Sequence, residues 1–236
     1  MKKYIFRDKV LGNYSLLLDE QTFVPTQTSS CIIHSALKVI NKNSSVLDLG
    51  CGCGVVAILI AKHSAYELNL SASDLSETVK DVVKKNSEEY DVSINVKKSD
   101  IFSAWEQENF DYIINDISGV AMEIASISPW FNNVSCKTGE GGNLLVNEVI
   151  DNAHKHLNQD GKLIFPVISF SNKEAILEKA NSTFKNVDLV ERQEWPAPRP
   201  MLEHIDILER LKNKGFIDYK IKFGQIIGYT EIYCAY

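Results

Sequence analysis

No apolar run in the sequence approaches the roughly eighteen residues a membrane-spanning helix needs, so no membrane span is expected. Positive charge is not in excess. Lys and Arg number 25 against 31 Asp and Glu, a formal net charge of −6, which argues against a broad nucleic-acid surface and leaves room only for a local basic patch. Cysteine is sparse and irregularly spaced. The five thiols, Cys31, Cys51, Cys53, Cys136 and Cys234, are odd in number and suggest no disulfide framework. Cys51 and Cys53 have no second Cys or His pair at ligand spacing. His154 and His156 stand two apart on a predicted helix and point to different faces, so no metal site is expected. The opening MKKYIFRDKVLGNY lacks the apolar core of a secretory signal, and with unpaired thiols it places the chain in a reducing cytoplasm. Proline is scarce too, and three of the six prolines crowd into residues 196–200.

What is present is a chain of 236 residues, 44% hydrophobic and 24% charged, enough for a sizeable core. From residue 44 onward, strand and helix patterns alternate. Short apolar runs at 46–49, 68–72, 92–96, 110–115, 162–166, 187–191 and 226–235 read as seven strands. Helical patterns lie at 55–63, 76–87, 143–157, 172–182 and 203–213, with Asn158–Gly161 as a turn. Such alternation predicts one doubly wound, mainly parallel sheet with helices on both faces. Before it, residues 1–44 form a leader with a β-like piece at Tyr14–Leu18 and a helix from Ser29 to Ile40, expected to cover the site. Residues 45–236 form the main domain. Two segments stand out: a long irregular stretch, Asp116–Gly142, and a proline-stiffened insertion at 195–216 that is either a lid or cover for a sheet edge.

The stretch VLDLGCGCGVVA follows a strand and opens a helix, the setting of a nucleotide-binding turn. Gly50, Gly52 and Gly54 permit close approach of a ligand to bare backbone. Cys51 and Cys53 are small enough to be tolerated between them. Asp74 ends the second strand, twenty positions past Gly54, where a carboxylate holds ribose hydroxyls in NAD and S-adenosylmethionine sites alike. Three features separate the two. Asp48 sits where dinucleotide sites tend to be apolar. Asp100-Ile101-Phe102 follows the third strand, placing a carboxylate and an apolar side chain beside an adenine. Asn115-Asp116 follows the fourth, at the mouth of the sheet where a reacting group belongs.

With DLGCGCG, Asp74 and Asp100 in this order, the sequence resembles the class I S-adenosylmethionine-dependent methyltransferases over nearly its whole length. The layout is similar to the branch that methylates protein glutamine or nucleobase amino groups. Phe23-Val24-Pro25-Thr26-Gln27-Thr28, Lys98-Ser99-Asp100-Ile101-Phe102 and Asn158-Gln159-Asp160-Gly161-Lys162-Leu163 carry that likeness. It implies a Rossmann-like fold with S-adenosyl-L-methionine as cofactor. It also implies that Gly50, Gly52, Gly54 and Thr26 lie along the methionine part, that Asp74 and Leu75 hold the ribose end, and that Asp100 and Ile101 flank the adenine. Asp48 would order the loop.

The branch carries Asn-Pro-Pro-Tyr after its fourth strand, whereas this chain has Asn115-Asp116-Ile117-Ser118. The stacking ring is gone and a carboxylate is added. This departure points away from an amide and toward an amine, on a small molecule or amino acid, as the methyl acceptor. Asn115 and Asp116 are then the catalytic candidates, with Asn115 also beside the cofactor. Asp116 is equally readable as a turn cap. Ser118, Trp130 and Trp195 are substrate-side candidates, each also readable as packing. Two other readings stay open: a scaffold that cyclises or cleaves S-adenosylmethionine to methylthioadenosine, and a non-catalytic cofactor-binding subunit.

Overall fold

The computed structural model describes residues 1–131 and 136–236. The chain opens with an antiparallel hairpin, β1 (Lys2–Asp8) and β2 (Gly12–Leu18), in which Lys2 faces Leu18 and Asp8 faces Gly12. Phe6, Leu16 and Leu18 alternate with half-buried or exposed residues and bury one face. The outer edge of β2 is closed by side chains. Asn86 Oδ1 accepts from Leu17 N–H at 2.7 Å and Tyr90 Oη accepts from Ser15 N–H at 2.7 Å. Helix α1 (Gln27–Val39) follows, started by Thr26, whose hydroxyl accepts from Thr28 N–H.

The main sheet then builds by alternation: β3 (Ser44–Leu49), α2 (Val55–His63), β4 (Leu68–Asp74), α3 (Val79–Glu89), β5 (Ile94–Lys98), β6 (Phe110–Asn115), α4 (Met122–Ile127), α5 (Leu144–Ala153), β7 (Leu157–Ile168), α6 (Lys173–Thr183), β8 (Val187–Pro196), α7 (Ile205–Asn213), β9 (Lys220–Lys222) and β10 (Gln225–Ala235). Its strand order is β5-β4-β3-β6-β7-β10-β8, with the three-residue β9 added on β10. The pairs among β3 to β7 are parallel, and β10 runs antiparallel to its neighbours. The doubly wound, mainly parallel sheet expected from the sequence is therefore present, with β9 as an eighth strand beyond the seven expected. The chain turns outward from β3 in one direction and from β6 in the other, so their carboxyl ends flank the crevice of an open α/β sheet.

Both faces of the sheet are buried, which is why its strands read as continuous apolar runs. One core joins α1, α2 and the hairpin through Phe6, Ile32, Ile58, Leu59, Ile114 and Ile232. The other joins α5 and α6 through Leu47, Trp105, Ile113, Val149, Leu163 and Phe165. Each such side chain contributes about 1.5–3 kcal/mol by leaving water. Helix α2 is buried from Val55 to Ile60 because it packs against both β4 and α1, which explains its lack of a polar face.

Three expectations change. The turn at Asn158–Gly161 lies inside β7, as a bulge: pairing steps from Phe110–Leu157 to Tyr112–Lys162, with Asp160 at φ 62°. The helix read to residue 157 ends at Ala153. The irregular stretch 116–142 contains α4 and a 3-10 turn at Pro129–Phe131, while its residues 132–135 lie outside the described residues. Segment 195–216 supplies the end of β8, a 3-10 turn (Arg199–His204) and α7. Its Trp195, Met201, Leu208 and Leu211 pack in a third core with Val120, Ile124 and Phe170, behind the loop that follows β6. Among the described residues no helix is long and apolar enough to cross a membrane.

Candidate functional site

The glycine loop leaves β3 at Leu49. Gly50 and Cys51 donate their N–H groups to Ser73 O on β4 at 2.8 and 3.0 Å, which ties the loop to the next strand. Two of its glycines are there for packing. A Cβ on Gly50 would lie 2.8 Å from Ile117 Cγ1 and 2.9 Å from Ile117 N, and φ is +81°. A Cβ on Gly54 would lie 2.9 Å from Val83 Cγ1 of α3, with φ at +82°. A Cβ on Gly52 would make only ordinary contacts, 3.9 Å to Thr22 Cγ2 and 4.0 Å to Phe23 O, and Gly52 lines the cavity, so its backbone is the part of the loop presented to a ligand.

Asp74 sits on the cavity wall at the end of β4. Its Oδ2 accepts from Gly52 N–H at 3.0 Å and its Oδ1 from Ser76 N–H at 2.9 Å. Leu75 beside it is 63% exposed, unusual for leucine and suited to a ligand's apolar face. Across the crevice, Ile101 holds φ at +46°, costing on the order of 1–2 kcal/mol. The Ser99 hydroxyl fixes it there by donating to Ile101 O at 2.7 Å. Strain of this kind is retained where a side chain must point one way.

These groups share one cavity of about 810 Å³ with Thr26, Gly50, Gly52, Asp100, Asp116, Ser118, Trp130 and Trp195. Its volume is within the roughly 300–1,000 Å³ common for ligand sites. The opposite wall is the strap 21–29. Asp19 anchors it: its carboxylate accepts from Gln21 N–H at 2.9 Å and from the Thr22 hydroxyl at 2.7 Å, and takes a further hydrogen bond from Thr78 at the start of α3. Phe23, Phe131, Lys137, Leu145 and Glu148 complete the far end. Of these, Phe23 belongs to the motif already singled out in the sequence, whereas Phe131, Lys137, Leu145 and Glu148 were missed. The doublet Trp130-Phe131, whose second ring stands 5.2 Å from Phe23, was the available signal.

Three predicted residues are not on the wall. Asp48 is 1% exposed beneath the loop and caps α2: its Oδ2 accepts from Ala57 N–H at 3.1 Å, and among the described residues its Oδ1 has no partner. Burial, reinforced by the Asp74 charge, pushes its carboxyl up to about 7. Gly54 packs on α3. Asn115 is fully buried; its Oδ1 accepts from Ile117 N–H at 3.1 Å and its Nδ2 has no partner among the described residues. The ligand contacts expected of Gly54 and Asn115 are thus corrected to support from behind, because the Cβ position of one and the side chain of the other are turned into neighbouring packing, and Asp48, expected to order the loop, likewise lies behind it.

Asp116 is on the wall. Its N–H donates to Leu49 O at 2.8 Å, and its carboxylate accepts from the Ser29 hydroxyl at 3.4 Å. Burial, followed by the Asp48 charge, pushes the carboxyl well above the usual range. Trp195 donates from Nε1 to Thr230 Oγ1 at 2.9 Å and meets Trp130 edge-on at 5.6 Å. Cys51 and Cys53 are buried. Desolvation raises both thiols, that of Cys53 to about 12, so neither is a thiolate at neutral pH.

Residues 27–116 match a family model described as the methyltransferase small domain. A release factor glutamine methyltransferase of Streptococcus pneumoniae is 24% identical over 174 residues, 70% of this chain and 61% of that protein. A ribosomal protein L11 methyltransferase of Thermoanaerobacter pseudethanolicus is 24% identical over 172 residues, 72% of this chain and 47% of that protein. The chain spans less than two thirds of the length of either relative. Among solved structures, a ribosomal protein L11 methylase from Lactobacillus delbrueckii subsp. bulgaricus superposes with a TM-score of 0.53 at 17% identity, covering 91% of this chain and 82% of that one. The T. thermophilus 16S rRNA N2 G1207 methyltransferase, solved with AdoMet and guanosine, superposes with a TM-score of 0.56 at 14% identity, covering 99% and 50%. The likeness to these two structures is one of fold. A small-molecule acceptor was expected from the sequence. The two relatives in sequence are named for a release factor glutamine and for ribosomal protein L11, which overturns that expectation.

Proposed function

We propose that this chain, which belongs to the class I S-adenosylmethionine-dependent methyltransferase superfamily, transfers a methyl group from S-adenosylmethionine to a nitrogen of a protein substrate. The observation that carries this reading is the alignment of Gly52, Asp74, Asp100 and Asp116 along one cavity, each at or just beyond the carboxyl end of one of four adjacent parallel strands. S-adenosylmethionine bound there would supply an electrophilic methyl on a sulfonium.

The residues present fit it. Asp74 and Asp100 offer acceptor-only carboxylates suited to hydroxyl groups, Leu75 and Ile101 offer apolar faces for a base, and Gly52 leaves room for an amino-acid chain. Thr26 and the strap 21–29 close the side away from the sheet, and Asp116 lies toward the acceptor end. Orientation and exclusion of water supply much of the rate in a direct displacement of this kind. The five cysteines are all free thiols, which supports a reducing cytoplasm as the place of action.

Calorimetric titration with S-adenosylhomocysteine and with NAD tests the site, and product analysis tests the reaction. Binding of S-adenosylhomocysteine, weak or no binding of NAD, and formation of S-adenosylhomocysteine from S-adenosylmethionine plus protein are expected. Tight NAD binding overturns the site assignment. Methylthioadenosine as the product overturns methyl transfer.

A further inference from the structure

Trp195 and Thr28 stand on different elements, β8 and α1, yet both line the cavity and both bond to one hydroxyl outside its lining. Trp195 Nε1 donates to Thr230 Oγ1 at 2.9 Å, and Thr230 Oγ1 lies 2.9 Å from Thr28 Oγ1. Thr230 is on β10 and is fully buried. The sequence of β10 prepares this meeting. Gly228 faces Trp195 across the β8–β10 pair, and Gly228 and Thr230 share a face of the strand. A Cβ on Gly228 would lie 3.0 Å from Trp195 Cη2 and Cζ3, so the bare position lets the indole lie across β10 and bring Nε1 to residue 230.

The hydroxyl protons of this chain have a direction. An indole N–H only donates, so Thr230 Oγ1 accepts from Trp195. Thr230 must place its own proton, and among the described residues the acceptor within reach is Thr28 Oγ1. The reverse arrangement, with Thr28 donating, would strand the Thr230 proton in the core, the costly case for a buried donor. The bonds therefore run from Trp195 to Thr230 to Thr28, each polarising the next. The last proton, on Thr28, finds no second partner among the described residues and is left to face the cavity that Thr28 lines. Beside it Ser29 donates to Asp116, and Trp195 meets Trp130 edge-on. The outlet thus lies on the β6-to-β8 side of the sheet, at the acceptor end and away from Asp74 and Asp100 on β4 and β5.

Given the transfer reading above, on which this inference rests, we infer that Thr230 is a positioning residue for methyl transfer. Through one hydroxyl it fixes the plane of the Trp195 ring and turns the Thr28 hydroxyl outward as a hydrogen-bond donor to the protein substrate. It makes or breaks no covalent bond. It joins two walls that come from distant parts of the chain, so that the substrate meets a surface already set, and orientation set before binding is what a direct displacement needs.

The test compares Thr230→Val, which keeps the shape and removes the hydroxyl, with Thr230→Ser, which keeps the hydroxyl, and with Thr28→Val. Each full chain is incubated with methyl-labelled S-adenosylmethionine and a sub-saturating, heat-treated protein extract of the source cells, and label entering protein is counted. In Thr230→Val the rate should fall roughly tenfold to a hundredfold, the scale of a misplaced reacting partner, while S-adenosylhomocysteine affinity, read by calorimetry, stays within a few-fold and shows the variant folded. Thr28→Val should show a similar loss, both changes together should lose little more than either alone, and Thr230→Ser should keep the rate. The indole N–H signal of Trp195, one of three in the chain, should move upfield in Thr230→Val and return in Thr230→Ser in proton–nitrogen NMR, a readout that needs no activity. A wild-type rate in either valine variant, or a Trp195 signal that stays in place in Thr230→Val, overturns the positioning role. A parallel fall in S-adenosylhomocysteine affinity moves the chain of bonds to the donor end and overturns its assignment to the substrate. No label with the wild-type chain overturns the transfer reading, and this inference with it.

Discussion

Asp48→Asn replaces a buried carboxylate by a neutral group of the same shape, and its effect depends on pH in a calculable way. The wild-type carboxyl is raised from an ordinary 3.8 to about 7. Between those values the folded protein holds a proton that the unfolded chain releases, so the contribution of this group to stability is greatest below about pH 4 and falls as pH rises toward 7. At roughly 1.4 kcal/mol per pH unit the loss reaches on the order of 4 kcal/mol. The variant would lack that slope. Its side-chain oxygen can keep the bond from Ala57 N–H, and its amide, like the proton of the neutral acid, finds no partner at the Oδ1 position, so the two proteins should be nearly equal at low pH. Urea unfolding of the unliganded proteins from pH 5 to 8 measures this directly, with the difference growing in favour of the variant. Parallel stability curves would refute the reasoning. The Asp48 charge also helps to raise Asp116, so Asp48→Asn should move the titration of Asp116 to lower pH.

Asp74→Ala should weaken S-adenosylhomocysteine by about a hundredfold or more in calorimetry, from two lost hydrogen bonds to an ionised group at about 1.5–3 kcal/mol each, and should lower the melting temperature because Gly52 and Ser76 N–H lose their acceptor. Unchanged affinity would take Asp74 out of the ribose site. Gly142→Ala forces a side chain into φ +73° against the Val120 carbonyl carbon and Ala121 N; the left-handed conformation alone costs about 1–2 kcal/mol. Melting temperature and turnover should both drop while S-adenosylhomocysteine affinity changes little, since residue 142 holds the 118–122 loop and does not touch the donor end of the cavity. Cys51→Ala with Cys53→Ala should leave that affinity within a few-fold, and a large loss would show that the thiols do more than fill space.

The fold was legible where a local pattern sufficed. β3, α2, β4, α3, β5 and β6 come from short apolar runs joined by glycines or helical stripes, and each is found in place. Elements that depend on distant partners were not legible. β1 alternates Tyr4, Phe6 and Asp8 inward, yet its charged residues disguise the strand. The free edge of its partner β2 is closed by Asn86 and Tyr90, some seventy residues away. Helix α4 has six residues and no side-chain cap at Ala121, too little for a periodic signal. β7 passes through Asn158–Gly161 as a bulge because β6 pairs on both sides of it, a fact of the neighbouring strand and not of those four residues.

For the site, location was legible and orientation was not. The carboxyl ends of β3, β4, β5 and β6 converge whatever side chains they bear, so Gly52, Asp74, Asp100 and Asp116 fall on one wall. Which neighbouring atoms face that wall depends on single hydrogen bonds. Asn115 turns inward because residue 117 has an N–H to give. Proline, which the related motif places there, has none. The replacement of proline by isoleucine at that position and the burial of the asparagine side chain are therefore one event. With Gly50 lacking a Cβ, the Ile117 backbone packs against the glycine loop, and the carboxylate between Asn115 and Ile117 is the group left at the wall.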